Sequence, residues 1–235
     1  RRHAAQDRRP GARPGVGGSA ALAGATGLVG RALLPQLLNH AAVSRVHVLL
    51  RRAAPGIESH PKLELHNVDF SHLHRVPKVD DVYIALGTTI KVAGSQAAFR
   101  QVDHDYVLAT ARAAREAGAR RIAIVSAMGA DSGSRVFYNR VKGDMEADVA
   151  ALGFEQVNFA QPSLLVGDRA ALGQPERAGE LWTMRLLRPV MGLVPRGVRP
   201  IEARDVAAAL IAATVSGKPG VHRLSSARMQ GAGQR

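Results

Sequence analysis

Short apolar runs rich in β-branched residues alternate with longer helical patterns through most of the chain. Strands that alternate with helices are typical of an α/β fold. Runs that are apolar throughout, such as "IAIVS", indicate a parallel sheet that is covered on both faces. The predicted strands are residues 20–23, 46–50, 63–68, 82–86, 122–126 and 156–160, and the predicted helices are residues 28–38, 95–117, 139–152 and 203–215.

The pattern loosens over residues 162–226, where connections rich in Gly, Pro and Arg surround a helical segment at residues 180–187. A last apolar run, "GVHRL", lies near the end of this part. We predict that residues 162–226 form a small substrate lobe built on the edge of the sheet. Trp182, Met184 and Met191 are candidates to line a pocket there, and core packing explains them equally well.

The composition of the chain excludes several classes of site and of protein. A chain of 235 residues that is 46% hydrophobic can bury a full core. Because it contains no cysteine, disulfides, thiolate metal sites and a cysteine nucleophile are excluded. The longest apolar runs are about half of the roughly 20 residues that a membrane helix needs, and no signal-peptide pattern is evident. We therefore expect a cytoplasmic protein that does not contact a membrane.

The net charge of +13 is concentrated partly at the N-terminus. Residues 1–18 hold five Arg and one Asp among Pro and Gly, so they predict a basic disordered tail. Aromatic residues make up only 4% of the chain, too few for base-stacking platforms, and we expect no nucleic-acid partner. The single domain is predicted over residues 19–226, followed by a flexible tail at residues 227–235.

The segment "ALAGATGLVG" places three evenly spaced glycines directly after the first predicted strand and into the start of the first predicted helix. In this context the first glycine allows a tight turn, the second lets the backbone approach a pyrophosphate, and the third allows close helix–sheet packing. The phosphate would lie at the positive N-terminus of the helix. The candidate cofactor-binding residues here are Gly24, Thr26, Gly27, Leu28, Val29 and Gly30.

The end of the second predicted strand discriminates between cofactors. Sites that prefer NAD carry an acidic residue there, which binds the ribose 2′-hydroxyl. This chain has Arg51 and Arg52, two planar cationic donors that suit a 2′-phosphate. The sequence therefore predicts a preference for NADP(H), with NAD(H) left open. Further candidates follow the next two strands: Asp69 for the adenine, and Leu86, Gly87 and Thr88 beneath the cofactor.

Candidate catalytic residues follow the fifth predicted strand. Ser126 ends that strand, and Tyr138 and Lys142 lie four residues apart in "YNRVKGDME". On a helix this spacing puts the phenol and the ammonium on one face, where the ammonium stabilises the phenolate that proton transfer requires. A serine at the neighbouring strand end can donate to a substrate oxygen as charge develops on it.

Several segments together resemble a known family. "GATGLVG", "IVSAMGAD" and "YNRVKGDMEADV" resemble the glycine motif, the serine segment and the Tyr/Lys helix of the short-chain dehydrogenase/reductase superfamily. "ALGTT", "FRQVDHDYVLATARAAREAGA" and "QPSLLVGDR" resemble its atypical members, those similar to the Tat-interacting oxidoreductase and tumour suppressor of animals. The resemblance extends from Ser19 to about Ser226. It implies a Rossmann-type doubly wound parallel sheet and NADP(H) binding.

The resemblance also implies roles for individual residues. Tyr138 would exchange the proton, Lys142 would hold the nicotinamide ribose, and Ser126 would orient the substrate oxygen. Pro162 and Leu165 would lie near the nicotinamide, and Asp103 would stand where the superfamily often has an asparagine. The implied activity is an NADP(H)-dependent oxidoreductase that acts on a carbonyl or hydroxyl carbon of an unknown small molecule.

Two alternative functions stay open at this point. A nucleotide-sugar epimerase or dehydratase uses the same Ser/Tyr/Lys set with a transient oxidation, and an NADPH-binding regulatory protein would retain the fold with vestigial catalysis. Binding of a protein partner, and the choice between a monomer and a homodimer, are also open.

His66, His72 and His74 are candidate metal ligands by residue type. No spacing among them matches a known metal motif, and no cysteine supports them. The sequence therefore predicts surface histidines and no metal site.

Overall fold

The computed structural model describes residues 18–54, 56–166, 195 and 197–234. Its main sheet contains seven parallel strands in the order β3-β2-β1-β4-β5-β6-β9, and β7 pairs with β8 in a separate ribbon. The strands are β1 (Gly18–Ala23), β2 (Val43–Leu50), β3 (Leu63–Asn67), β4 (Asp81–Ile84), β5 (Arg121–Val125), β6 (Gln156–Gln161), β7 (Leu165–Val166), β8 (Ile201–Glu202) and β9 (Gly220–Ser225).

Helices cover both faces of the main sheet, as the apolar strands require. They are α1 (Leu28–Asn39), α2 (Ile90–Ala93), α3 (Gln96–Arg100), α4 (Tyr106–Glu116), α5 (Phe137–Ala150), α6 (Ala203–Val215) and α7 (Ser226–Met229). Apolar side chains of α1 and α6 form one buried core with one face of the sheet, and those of α4 and α5 form a second core with the other face. The predicted doubly wound α/β fold is confirmed.

The long helix predicted over residues 95–117 is divided in the structure. After α3 the backbone makes a π-helical turn, Gln101–Asp105, and then continues as α4. A π-turn inserts an extra residue into the helix, and such turns are frequent at functional sites. It carries Asp103 and His104, which are both buried. The apolar periodicity predicts the helix and carries no signal for the wider turn.

The C-terminal part of the predicted lobe belongs to the main domain instead. The run "GVHRL" forms most of β9, which pairs in parallel with β6, and α6 packs beneath the same sheet. The predicted lobe helix at residues 180–187, with Trp182, Met184 and Met191, lies outside the described residues.

The tail predicted as flexible packs against α6. Met229 is fully buried, and the backbone N–H groups of Gly231 and Gly233 each donate to the carboxylate of Asp205 at 2.9 Å. Asp205 is itself buried in the first turn of α6. Residues 227–234 are held in place because the Asp205 carboxylate accepts hydrogen bonds from two of their backbone N–H groups.

Within the described part of the chain, no helix combines the length and the apolar character needed to cross a membrane.

Candidate active site and cofactor cleft

The three glycines after β1 close a tight loop. Gly24 adopts a positive φ of 88°, and a Cβ added to it would lie 2.5 Å from the carbonyl carbon of Ala85. A Cβ on Gly30 would overlap the carbonyl oxygen of Gly24. A Cβ on Gly27 would meet that oxygen at 3.4 Å, an ordinary contact. The fold itself therefore requires Gly24 and Gly30, and it leaves Gly27 free to serve a ligand.

The loop opens into the N-terminus of α1. Gly27 caps this helix without a side-chain hydrogen bond, and its first turn contains no acidic residue. The first N–H groups of a helix lack intrahelical acceptors and carry partial positive charge. The N–H groups of Leu28, Val29 and Gly30 are in this position. A backbone loop of this shape, with Gly27 at a position where an added Cβ would make only ordinary contacts, fits a pyrophosphate.

A cleft of about 630 Å³ adjoins the glycine loop, and its walls include Ala25, Thr26 and Ile57. The connection that forms the far wall begins at Arg51 and Arg52. Both arginines are exposed, and neither guanidinium pairs with an acidic residue within the described ranges. They are thus available to an anionic ligand at the end of β2.

Asp69 has partners of its own. Its carboxylate accepts hydrogen bonds from the backbone N–H of Ser71 at 2.8 Å and from His72 Nδ1 at 2.9 Å, so it caps the short 3₁₀ turn after β3. The hydrogen bond from His72 and that from Ser71 lower the pKa of Asp69. The carboxylate is therefore anionic and retains lone pairs that an adenine amino group can use.

A buried ion pair lies where the end of β4 meets α5. Lys142 Nζ is 2.7 Å from Asp103 Oδ1, and these side chains are 4% and 1% exposed. The other carboxylate oxygen of Asp103 accepts the backbone N–H of Thr88 at 2.8 Å. Gly87 lies beside the pair, since a Cβ there would be 3.3 Å from Asp103 Oδ1 and 4.0 Å from Lys142 Nζ. The π-turn thus positions the lysine ammonium under the loop that follows β4.

Ser126 lies directly after β5 and is also buried. Its hydroxyl donates to Glu146 Oε1 at 2.6 Å. The same carboxylate accepts Gln161 Nε2 at 2.9 Å and Arg223 Nε at 2.7 Å. Tyr138, Lys142 and Glu146 follow one another at intervals of four on α5, so they share one face of this helix. Sequence reasoning missed Glu146, although this spacing was a signal for it.

The remaining predicted residues lie at the same end of the sheet. The Tyr138 ring packs on Phe99 with centroids 5.2 Å apart. Pro162 follows β6, and its carbonyl accepts the N–H of Met128 at 3.0 Å, which ties this loop to the segment after Ser126. Leu165 lies in β7, farther along the same loop. The catalytic candidates therefore lie around the carboxyl ends of β4, β5 and β6, where ligands bind in such sheets.

Comparison with known proteins shows the family of this chain. A family model described as NAD(P)H-binding matches residues 24–153, more than half of the chain. The chain belongs to the NAD(P)H-binding family. The match begins at Gly24 and ends beyond α5, so it spans both the glycine loop and the Tyr/Lys helix. The resemblance to atypical short-chain dehydrogenases/reductases is confirmed, and so is the general expectation of a nicotinamide dinucleotide cofactor.

Within this NAD(P)H-binding family the chain has curated relatives in fungi. A protein named FMP52, mitochondrial, from Eremothecium gossypii is 38% identical over 152 residues, which cover 64% of this chain and 68% of the relative. Similar relatives from other fungi are likewise named mitochondrial. The expectation of a cytoplasmic protein is therefore wrong. It rested on the absence of a secretory or membrane signal, which does not separate the cytoplasm from other compartments.

Solved structures share the fold at low sequence identity. MoeE5 in complex with UDP-glucose and NAD is 17% identical with a TM-score of 0.64, and the match covers 88% of this chain and 75% of that chain. A UDP-N-acetylglucosamine 4-epimerase from Methanobrevibacter ruminantium is 13% identical with a TM-score of 0.66, covering 89% and 77%. These likenesses show the Rossmann-type fold of the NAD(P)H-binding family.

Proposed function

We propose that this protein is an NADP(H)-dependent oxidoreductase of the atypical short-chain type, acting on a carbonyl or hydroxyl carbon of a small molecule. The observation that carries the proposal is the buried ion pair between Lys142 and Asp103. Lys142 lies on the same face of α5 as Tyr138. A buried ammonium is costly unless it is paired, so its retention beside Gly87, at the carboxyl end of β4, supports a catalytic use.

The side chains of the site then have distinct tasks. The nicotinamide, when bound, supplies or accepts the hydride. Tyr138 donates a proton to the substrate oxygen, or removes it in the reverse direction. Lys142, held in place by Asp103, provides a positive field for the phenolate and a donor for the ribose. Ser126 donates to the substrate oxygen once its hydroxyl turns away from Glu146, whose carboxylate keeps the hydrogen bonds from Gln161 and Arg223.

Activity is tested by a screen of carbonyl substrates with NADPH, comparing the native protein with Tyr138→Phe. We expect turnover to fall by at least about 100-fold in this variant, because the general acid is lost. NADPH affinity should stay within experimental error. Tyr106→Phe is the matched control, since it removes a phenol that contacts Ser71 on the adenosine side, away from Ser126, Tyr138 and Lys142. Unchanged turnover in Tyr138→Phe would overturn the assignment, and a stable NADPH complex without any turnover would favour the regulatory alternative.

The preference for NADP(H) rests on Arg51 and Arg52. The double variant Arg51→Ala plus Arg52→Ala should weaken NADPH binding by at least about tenfold and leave NADH binding unchanged, because charge-assisted hydrogen bonds to the 2′-phosphate are lost. Titrations of both nucleotides at fixed ionic strength measure this. Arg75→Ala plus Arg112→Ala removes the same charge from other exposed positions. Equal losses in the two double variants would mean that only net charge matters.

Nucleotide-sugar chemistry is the second candidate. The nucleotide-sugar ligands named for the similar solved structures favour it. This activity needs a bound NAD that is regenerated in each cycle, so tighter binding of NADH than NADPH, together with binding of UDP-glucose, would support it over the oxidoreductase.

We also propose a mitochondrial location, which the names of the fungal relatives support. Fractionation of cells that express the full-length natural protein is the direct measurement.

A further inference from the structure

Two neighbouring strands bring two histidines and a glutamate together at the edge of the main sheet, away from the catalytic residues. His47 lies on β2, and Glu64 and His66 lie on β3. The parallel register pairs His47 with Glu64 and Leu49 with His66. Because side chains alternate between faces along a strand, all three project from the same face.

Their ligand atoms converge. His47 Nδ1 is 3.0 Å from His66 Nε2 and 3.2 Å from Glu64 Oε2, and His66 Nε2 is 3.9 Å from the same oxygen. Ligands about 2.0–2.1 Å from a tetrahedral zinc ion are separated by about 3.4 Å. The three atoms therefore have the spacing of three corners of a tetrahedral site.

Hydrogen bonding alone does not satisfy this triangle. His47 Nδ1 carries at most one proton, so it can donate to His66 or to Glu64 and not fully to both. If His66 donates to His47 Nδ1 instead, that nitrogen carries no proton to donate to the Glu64 carboxylate. A cation at the centre uses the lone pairs of all three atoms at once.

The surroundings suit a site with three protein ligands. Arg45 Nη1 lies 2.5 Å from Glu64 Oε1 and so holds the outer carboxylate oxygen, while Oε2 faces the imidazoles. The His47 side chain is 9% exposed, whereas those of His66 and Glu64 are 31% and 42% exposed. Solvent can thus supply a fourth ligand from the β3 side.

We propose that His47, Glu64 and His66 bind a divalent cation of the zinc class. Imidazole nitrogen with one carboxylate suits zinc and neighbouring transition metals, whereas magnesium and calcium prefer oxygen alone. The ion pins the edge strand β3 to β2. These strands lead directly to Arg52 and Asp69, so the site braces the predicted adenosine side of the cleft without taking part in the chemistry.

Calorimetric titration of the tag-free, EDTA-treated protein with ZnCl₂ tests the proposal. We expect one ion per chain with a Kd below about 10 μM. Cobalt(II) in place of zinc should give the intense visible absorption of a four-coordinate site. His66→Ala and Glu64→Gln should each weaken zinc binding by more than about 100-fold, because changes even at outer positions cost 10- to 100-fold.

His74→Ala is the matched control, since it removes an exposed histidine from the same region. Glu64→Gln keeps the size of a half-exposed side chain, so it remains informative if His66→Ala does not fold. Circular dichroism and thermal unfolding establish that the variants are folded. Absence of zinc binding, a six-coordinate cobalt spectrum, or native affinity in either ligand variant would overturn the site.

Discussion

Asp103→Asn is expected to destabilise the protein by about 3–5 kcal/mol, because it leaves the Lys142 ammonium buried without a counter-charge. The ammonium cannot regain water easily, since its side chain is only 4% exposed. The new amide can still accept the N–H of Thr88, so the loss reports the charge rather than the loop contact. Urea unfolding followed by circular dichroism measures the change.

A double variant separates the cost of a buried charge from general disruption of the site. Lys142→Met combined with Asp103→Asn removes both charges at similar volume, and replacing a whole buried pair is often neutral for stability. We expect the double variant to regain most of the stability that Asp103→Asn loses, and to show no turnover because the lysine is absent. The exposed pair Arg204–Glu202 is the control, since Glu202→Gln should cost less than about 1 kcal/mol. A loss as small as this for Asp103→Asn would contradict the inferred role of the pair.

Gly30→Ala is expected to destabilise the fold by more than about 3 kcal/mol or to prevent folding, since overpacking at a rigid backbone contact cannot relax. The added methyl would overlap the carbonyl oxygen of Gly24 and lie 2.8 Å from Ala25 Cα, so α1 would have to move away from β1. Thermal unfolding measures the effect. Gly197→Ala is the control, because no atom of the residues that the structure describes lies within 4 Å of its added methyl.

Gly27→Ala should behave differently from Gly30→Ala. Its methyl meets only an ordinary contact, so we expect stability within about 1 kcal/mol of the native protein. NADPH affinity should nevertheless fall by at least about tenfold, or 1.4 kcal/mol, because the methyl occupies the approach of the pyrophosphate. Native NADPH affinity in a folded Gly27→Ala protein would mean that the loop is only a structural turn.

The sequence alone predicted the architecture well where periodicity carries the information. The helix at Ala203–Val215 has the predicted bounds, and the strands of the main sheet agree within a few residues. The long helix before β5 was predicted as continuous, since a π-turn leaves the apolar periodicity almost unchanged. The strand β9 was noted only as an apolar run, because its partner β6 is distant in sequence.

The candidate site divides in the same way. The sequence by itself determined the alternating α/β pattern, the glycine loop and the choice of Ser126, Tyr138 and Lys142 as catalytic candidates. Local spacing suffices for these, because it determines which side chains lie on the same face of a helix or strand. Only the tertiary structure decided that Lys142 pairs with Asp103, that Ser126 bonds to Glu146, and that His47 meets Glu64 and His66. The physical reason is that a polar side chain finds its partner through strand register and helix docking, which are set by the burial of distant apolar residues rather than by the local sequence.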